Sequence, residues 1–161
     1  MILELIFGTQ RGHTRTTVGS DSVHYEANVS ALVALTAPDL ETFCFVNYVV
    51  LPPNTRALTS VACGAAGFPV LRELTLVGSY PFADAELTVT TIMPQLERLH
   101  LVVPGSGSCV EGMDLTLWPQ RAPRLTHFRL SNVLHIPPGL GPMLGACSLS
   151  RVRSLVGRRG D

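Results

Sequence analysis

The sequence predicts an α/β solenoid of about four to five repeats, with short parallel strands on a concave side and helices or loops on a convex side. Two observations predict it. A nine-residue segment recurs without gaps at residues 37–45, 68–76, 93–101 and 122–130, each time as Pro-x-Leu-x-x-[Leu/Phe]-x-[Leu/Phe]. Pro38, Pro69, Pro94 and Pro123 stand 31, 25 and 29 residues apart, a spacing at which one supersecondary unit cannot bury its apolar face alone and must stack on the next. The connections recur as well: Pro52 and Pro137 each stand twelve residues after a leading leucine, Leu40 and Leu125 respectively.

Each element follows from local chemistry. Leu-x-Leu puts alternate side chains on opposite sides of a strand, while the leading leucine turns into the same core. Strands are therefore expected at about 42–46, 73–77, 98–102 and 127–131. A proline just before a strand is tolerated, because its missing N–H precedes the ladder. Between strands, Asn28 can cap a helical turn carrying Val29, Leu32, Val33 and Leu35 toward the core. Asn54 can do the same for Ala57, Leu58, Val61 and Ala62, and Asp84 for Ala85, Leu87 and Ile92. The third connection is irregular: Pro104-Gly105-Ser106-Gly107-Ser108 reads as a loop, before Val110, Met113, Leu115, Leu117 and Trp118 return to the core. Leu3-Glu4-Leu5 reads as the tail of an earlier strand. Leu149-x-x-Val152 begins 24 residues after Leu125, as a degraded copy would. The chain thus divides into a partial strand and polar loop (1–27), the repeats (28–135), and a degraded repeat with a basic tail (136–161) that holds Arg151, Arg153, Arg158 and Arg159.

Composition closes several function classes. With 161 residues, 46% hydrophobic and 15% charged, the chain has the size of one domain and the apolar content to fold. Twelve basic residues balance twelve acidic ones, and only 6% are aromatic. Such a chain offers neither the electrostatic footprint nor the stacking platforms of a nucleic-acid binder. No apolar run approaches the roughly 18 residues of a membrane helix, and the apolar stretch at 1–7 is too short for a secretory signal. A cytoplasmic or nuclear location is expected. Every basic residue is arginine, so neither a Schiff base nor a phosphate-binding lysine can form on a side chain. Cys44, Cys63, Cys109 and Cys147 are too widely spaced for a zinc site and read as buried free thiols. No cofactor, metal or catalytic residue is expected.

The Leu-x-x-Leu-x-Leu core resembles that of leucine-rich repeats, whose period is roughly 20–29 residues. The phrases Phe-Pro-Val-Leu-Arg-Glu-Leu-Thr-Leu (68–76) and Ala-Pro-Arg-Leu-Thr-His-Phe-Arg-Leu (122–130) resemble the repeat region of fungal F-box proteins. That resemblance implies a protein that chooses substrates for a cullin-type (SCF) ubiquitin ligase. The F-box itself has no counterpart in residues 1–36. The expected function is a non-catalytic protein-binding scaffold, with a truncated repeat fragment lacking independent activity as the alternative. The asparagine that follows the strand in such repeats is displaced here, Asn47 and Asn132 standing one position early.

In a parallel stack, the residues flanking and between the core leucines fall in three rows on the concave face: Thr42, Glu73, Arg98 and His127; Cys44, Thr75, His100 and Arg129; Val46, Val77, Val102 and Ser131. Arg98, His100, His127 and Arg129, with Glu73 and Thr75 beside them, form a donor-rich patch suited to an acidic or carbonyl-rich protein partner. The competing expectation is an ordinary solvated face on which Glu73 simply pairs with Arg98. Cys44 and His100 stand two strands apart, roughly 9–10 Å, too far for a thiol–imidazole pair.

Overall fold

The computed structural model of this protein describes residues 1–7, 31–47, 67–78, 93–102, 115–132, 138–146 and 151–155. Its centre is a parallel sheet of six strands: β1 (Ile2–Phe7), β2 (Thr42–Asn47), β3 (Glu73–Gly78), β4 (Arg98–Val102), β5 (His127–Ser131) and β6 (Arg151–Leu155). They lie side by side in chain order. The four strands expected from the repeats stand where the leucine pattern places them, β2 and β3 being one residue longer. Each pairs in parallel with the next along the chain, without a slip. The result is an α/β arrangement.

Register explains why the pattern is so strict. Phe43, Leu74, Leu99 and Phe128 are mutual partners, and so are Phe45, Leu76, Leu101 and Leu130. All eight are buried. A one-residue slip would turn every one of them to the opposite face. Beneath them lie the leading leucines Leu40, Leu71, Leu96 and Leu125, none more than 1% exposed.

Hydrogen bonds repeat along with the leucines. In each copy the leading leucine N–H donates to the carbonyl three residues back: Leu40 to Ala37, Leu71 to Phe68, Leu96 to Met93 and Leu125 to Ala122, at 3.1–3.4 Å. The invariant proline is the second residue of this turn, where its fixed φ is already suitable and its missing N–H is not needed. One carbonyl per copy then accepts two N–H groups from the next. Glu41 O takes Arg72 and Glu73, Arg72 O takes Glu97 and Arg98, and Glu97 O takes Thr126 and His127, at 2.8–3.1 Å. Met1 O does the same for Glu41 and Thr42, so β1 joins the ladder as the other strands do. Two strands end through left-handed backbone, at Gly78 (φ 92°) and Asn132 (φ 59°). These residue types tolerate that conformation best, which gives Asn132 a local role at its displaced position.

The core side of the sheet is covered by short elements. Residues 31–36 are helical and run into a 3-10 turn, Ala37–Asp39. Burial along this segment departs from the expected inward set Leu32, Val33 and Leu35. Val33 and Ala37 are buried, but Leu32 is 43% and Leu35 80% exposed, because only Val33 and Ala37, four apart, share the helix face turned to the core. A 3-10 turn at Leu115–Leu117 leads into α1 (Trp118–Arg121), and α2 (Leu140–Ala146) follows β5. Leu115, Trp118 and Met143 are buried, Leu117 is half-buried, and Leu140 and Leu144 pack against the core. Leu115 N–H donates to Pro138 O at 3.0 Å, tying the two segments together. The helices expected after Asn54 and Asp84, the 104–108 loop, Val110 and Met113 lie outside the described residues.

Candidate functional site

The face of the sheet opposite the core carries the polar rows. Register sets Thr42, Glu73, Arg98 and His127 in line, and Cys44, Thr75, His100 and Arg129 in line beside them. The six residues singled out from sequence meet around one depression of about 470 Å³. Glu73 and Thr75 line it from β3, Arg98 and His100 from β4, and His127 and Arg129 from β5. Alternation on three neighbouring strands suffices to bring together residues 56 positions apart in the chain (Glu73 to Arg129).

Local contacts order these side chains. Arg98 Nη1 donates to Glu73 Oε1 at 2.6 Å, with the two side chains 61% and 45% exposed. A solvent-screened pair of this kind stabilises by about 0–1 kcal/mol. The expected pairing of Glu73 with Arg98 is therefore present, and it occupies one member of the patch. His100 Nε2 and Ser131 Oγ are hydrogen-bonded at 3.0 Å, and Thr126 Oγ1 and His127 Nδ1 at 2.9 Å. Arg129 is exposed and has no acidic partner among the described residues.

Burial, and then the Arg129 charge, push the His100 pKa below its ordinary value of 6.5. The unfolded chain therefore binds this proton more tightly than the folded one. Stability from this group is full above about pH 6.5 and is lost as pH falls through the lower, folded value. Urea melts between pH 7.5 and pH 5 should show a shallower loss for His100→Gln than for the wild-type chain. Equal losses would show that His100 does not contribute to the acid sensitivity.

Burial, reinforced by Glu4, raises the Cys44 pKa, the opposite of what a thiolate nucleophile needs. Thr75 lies between Cys44 and His100 in the register, so no thiol–imidazole pair forms. Among the described residues, no three His, Cys, Asp or Glu side chains converge to hold a metal ion. No helix among them is long and apolar enough to cross a membrane.

Three placements escape sequence reasoning. Arg151 and Arg153, read there as part of a basic tail, stand in β6 directly in register with His127 and Arg129. Ser131 stands in the valine row but is 7% exposed and holds His100; its only sequence signal is that it interrupts Val46, Val77 and Val102. Arg121 is 1% exposed behind the sheet, where its carbonyl accepts Met93 N–H at 3.0 Å. Nothing in the repeat pattern marks it as buried. Comparison with known proteins finds no matching family model, curated protein or solved structure.

Proposed function

We propose that this chain is a leucine-rich-repeat solenoid that holds a protein partner on the polar face of its strands and performs no catalysis. The observation that carries this reading is the depression on β3–β5. Arginine and histidine donors surround it with one acid beside them, and the hydroxyl bonded to His100, that of Ser131, is only 7% exposed. Hydrogen-bonding groups held on regular strands suit recognition more than turnover. The neutral composition and the scarcity of aromatic residues favour protein over nucleic acid as the partner. The sharper form of the proposal, substrate recognition for a cullin-type ubiquitin ligase in the cytoplasm or nucleus, is supported by the resemblance of residues 68–76 and 122–130 to F-box repeat regions.

The test is a quantitative pull-down from cells expressing the tagged chain. Replacing Arg98, His100, His127 and Arg129 together with glutamine should abolish partner recovery. The exposed changes at Arg98 and Arg129 should each alter stability by no more than about 1 kcal/mol, and loss of the His100–Ser131 bond by about 0.5–1.5 kcal/mol, checked by thermal melts. Asp39→Asn with Arg124→Gln, both exposed and outside the depression, should leave recovery intact. Unchanged recovery by the fourfold variant would move the contact surface elsewhere. Co-recovery of the ligase adaptor is expected of the sharper form, and a partner captured without the adaptor removes it. No captured partner at all would favour the repeat-fragment reading.

A further inference from the structure

Charge is segregated along the sheet although the whole chain is neutral. The strands β1–β3 contain Glu4 and Glu73 and no basic residue. The strands β4–β6 contain Arg98, His100, His127, Arg129, Arg151 and Arg153 and no acid. Register aligns Arg98, His127 and Arg151 in one row, and His100, Arg129 and Arg153 in the next. The depression opens on the boundary, and Glu73 alone among its lining residues is acidic. It is also hydrogen-bonded to Arg98. We propose that β4 and β5, on the basic side of this boundary, form a receptor for a carboxylate-rich segment of a partner protein, and that Glu73 is an internal competitor that occupies Arg98 until that segment displaces it. This inference rests on the protein-binding reading above and specifies the chemistry of the partner.

The chemistry follows from the donors. Guanidinium groups offer paired N–H donors that match a carboxylate, and Arg129 has no such acceptor among the described residues. A depression of about 470 Å³ admits a few side chains of an extended segment, not a folded surface. Nucleic acid is the other polyanion to consider. A single strand would draw on Phe, Tyr or Trp platforms for its bases, and the one such residue on β4 or β5, Phe128, is 2% exposed in the core. Glu73 adds selectivity: a ligand must offer an acid that competes with a carboxylate already in place, so a single weak acceptor gains little. Because the Arg98 and Glu73 side chains are 61% and 45% exposed, exchange of one carboxylate for another needs no rearrangement of the sheet.

Fluorescence anisotropy with the whole chain and a labelled hexaglutamate peptide tests the proposal. The wild-type chain should bind hexaglutamate and not hexaglutamine, and the affinity should fall as salt rises. Arg129→Gln should weaken binding about tenfold, with Arg129→Lys intermediate, because a point charge replaces a paired donor. Glu73→Gln should tighten binding about threefold, a gain that damage to the fold would not produce. Unchanged or weaker binding by Glu73→Gln overturns the competitor role. Equal affinity for a single-stranded oligonucleotide of the same charge overturns selectivity for a protein acid. If hexaglutamate fails to bind while the fourfold variant still loses its partner in cells, this inference falls and the protein-binding reading stands. If both fail, the reading falls with it.

Discussion

Replacing Leu99 with alanine should lower the free energy of unfolding by about 2–5 kcal/mol, while the same change at Leu3 should cost under about 1.5 kcal/mol. Leu99 is 1% exposed and stands between Leu74 and Phe128 in the buried row. Its neighbours belong to strands that are themselves held on both sides, so the void left by truncation cannot collapse cheaply. Leu3 is only half-buried, and β1 has one strand neighbour among the described residues. In an assembly where each strand packs mainly on the next one along the chain, the cost of a lost contact depends on the position in the stack. Denaturant melts of the two variants measure the difference, provided that the slope against denaturant is unchanged. Equal costs would contradict nearest-neighbour packing.

The same periodicity explains why so much of the sheet was legible in the sequence. Pro-x-Leu-x-x-Leu-x-Leu fixes a turn, a buried anchor and an alternating strand together, so aligning four copies also aligns four strands. The register, the three rows and the grouping of Arg98, His100, His127 and Arg129 all follow from that one alignment. What was not legible lies where this redundancy ends. Leu149-x-x-Val152 reads as a degraded copy, and Val152 does match Phe128 in register, but Ser154 stands opposite Leu130, so the pattern does not extend to Arg151 and Arg153, which read as part of a tail. In the 31–36 segment, apolar content alone pointed Leu32 and Leu35 inward. A helix segment this short turns only one narrow face to the core, and that face went to Val33 and Ala37. The hydrogen bond between His100 and Ser131 runs diagonally between strands, since the direct partner of His100 is Arg129. A reading restricted to rows cannot anticipate such a contact.

Trp118 offers the other large effect, with a built-in reporter. It is the single tryptophan of the chain, is 1% exposed, and lies in the main core cluster at the start of α1. Trp118→Ala should destabilise by about 3–5 kcal/mol, the range for removing a large buried aromatic side chain. The indole Nε1 has no hydrogen-bond partner among the described residues. It therefore lies in the core without the compensation that buried polar groups normally find. Trp118→Phe should consequently lose ring volume but no hydrogen bond, and cost under about 2 kcal/mol. Emission from the wild-type indole should be blue-shifted in the native chain and move to the red in one step with urea, following the same midpoint as far-ultraviolet circular dichroism. The two variants, followed by circular dichroism, separate the contributions. If Trp118→Phe were as damaging as Trp118→Ala, the indole N–H would be making a stabilising bond and the apolar account of this side chain would fail. If both were mild, the core behind the sheet would not depend on α1, and the burial of Leu115 and Met143 beside it would have to be sustained by the sheet alone.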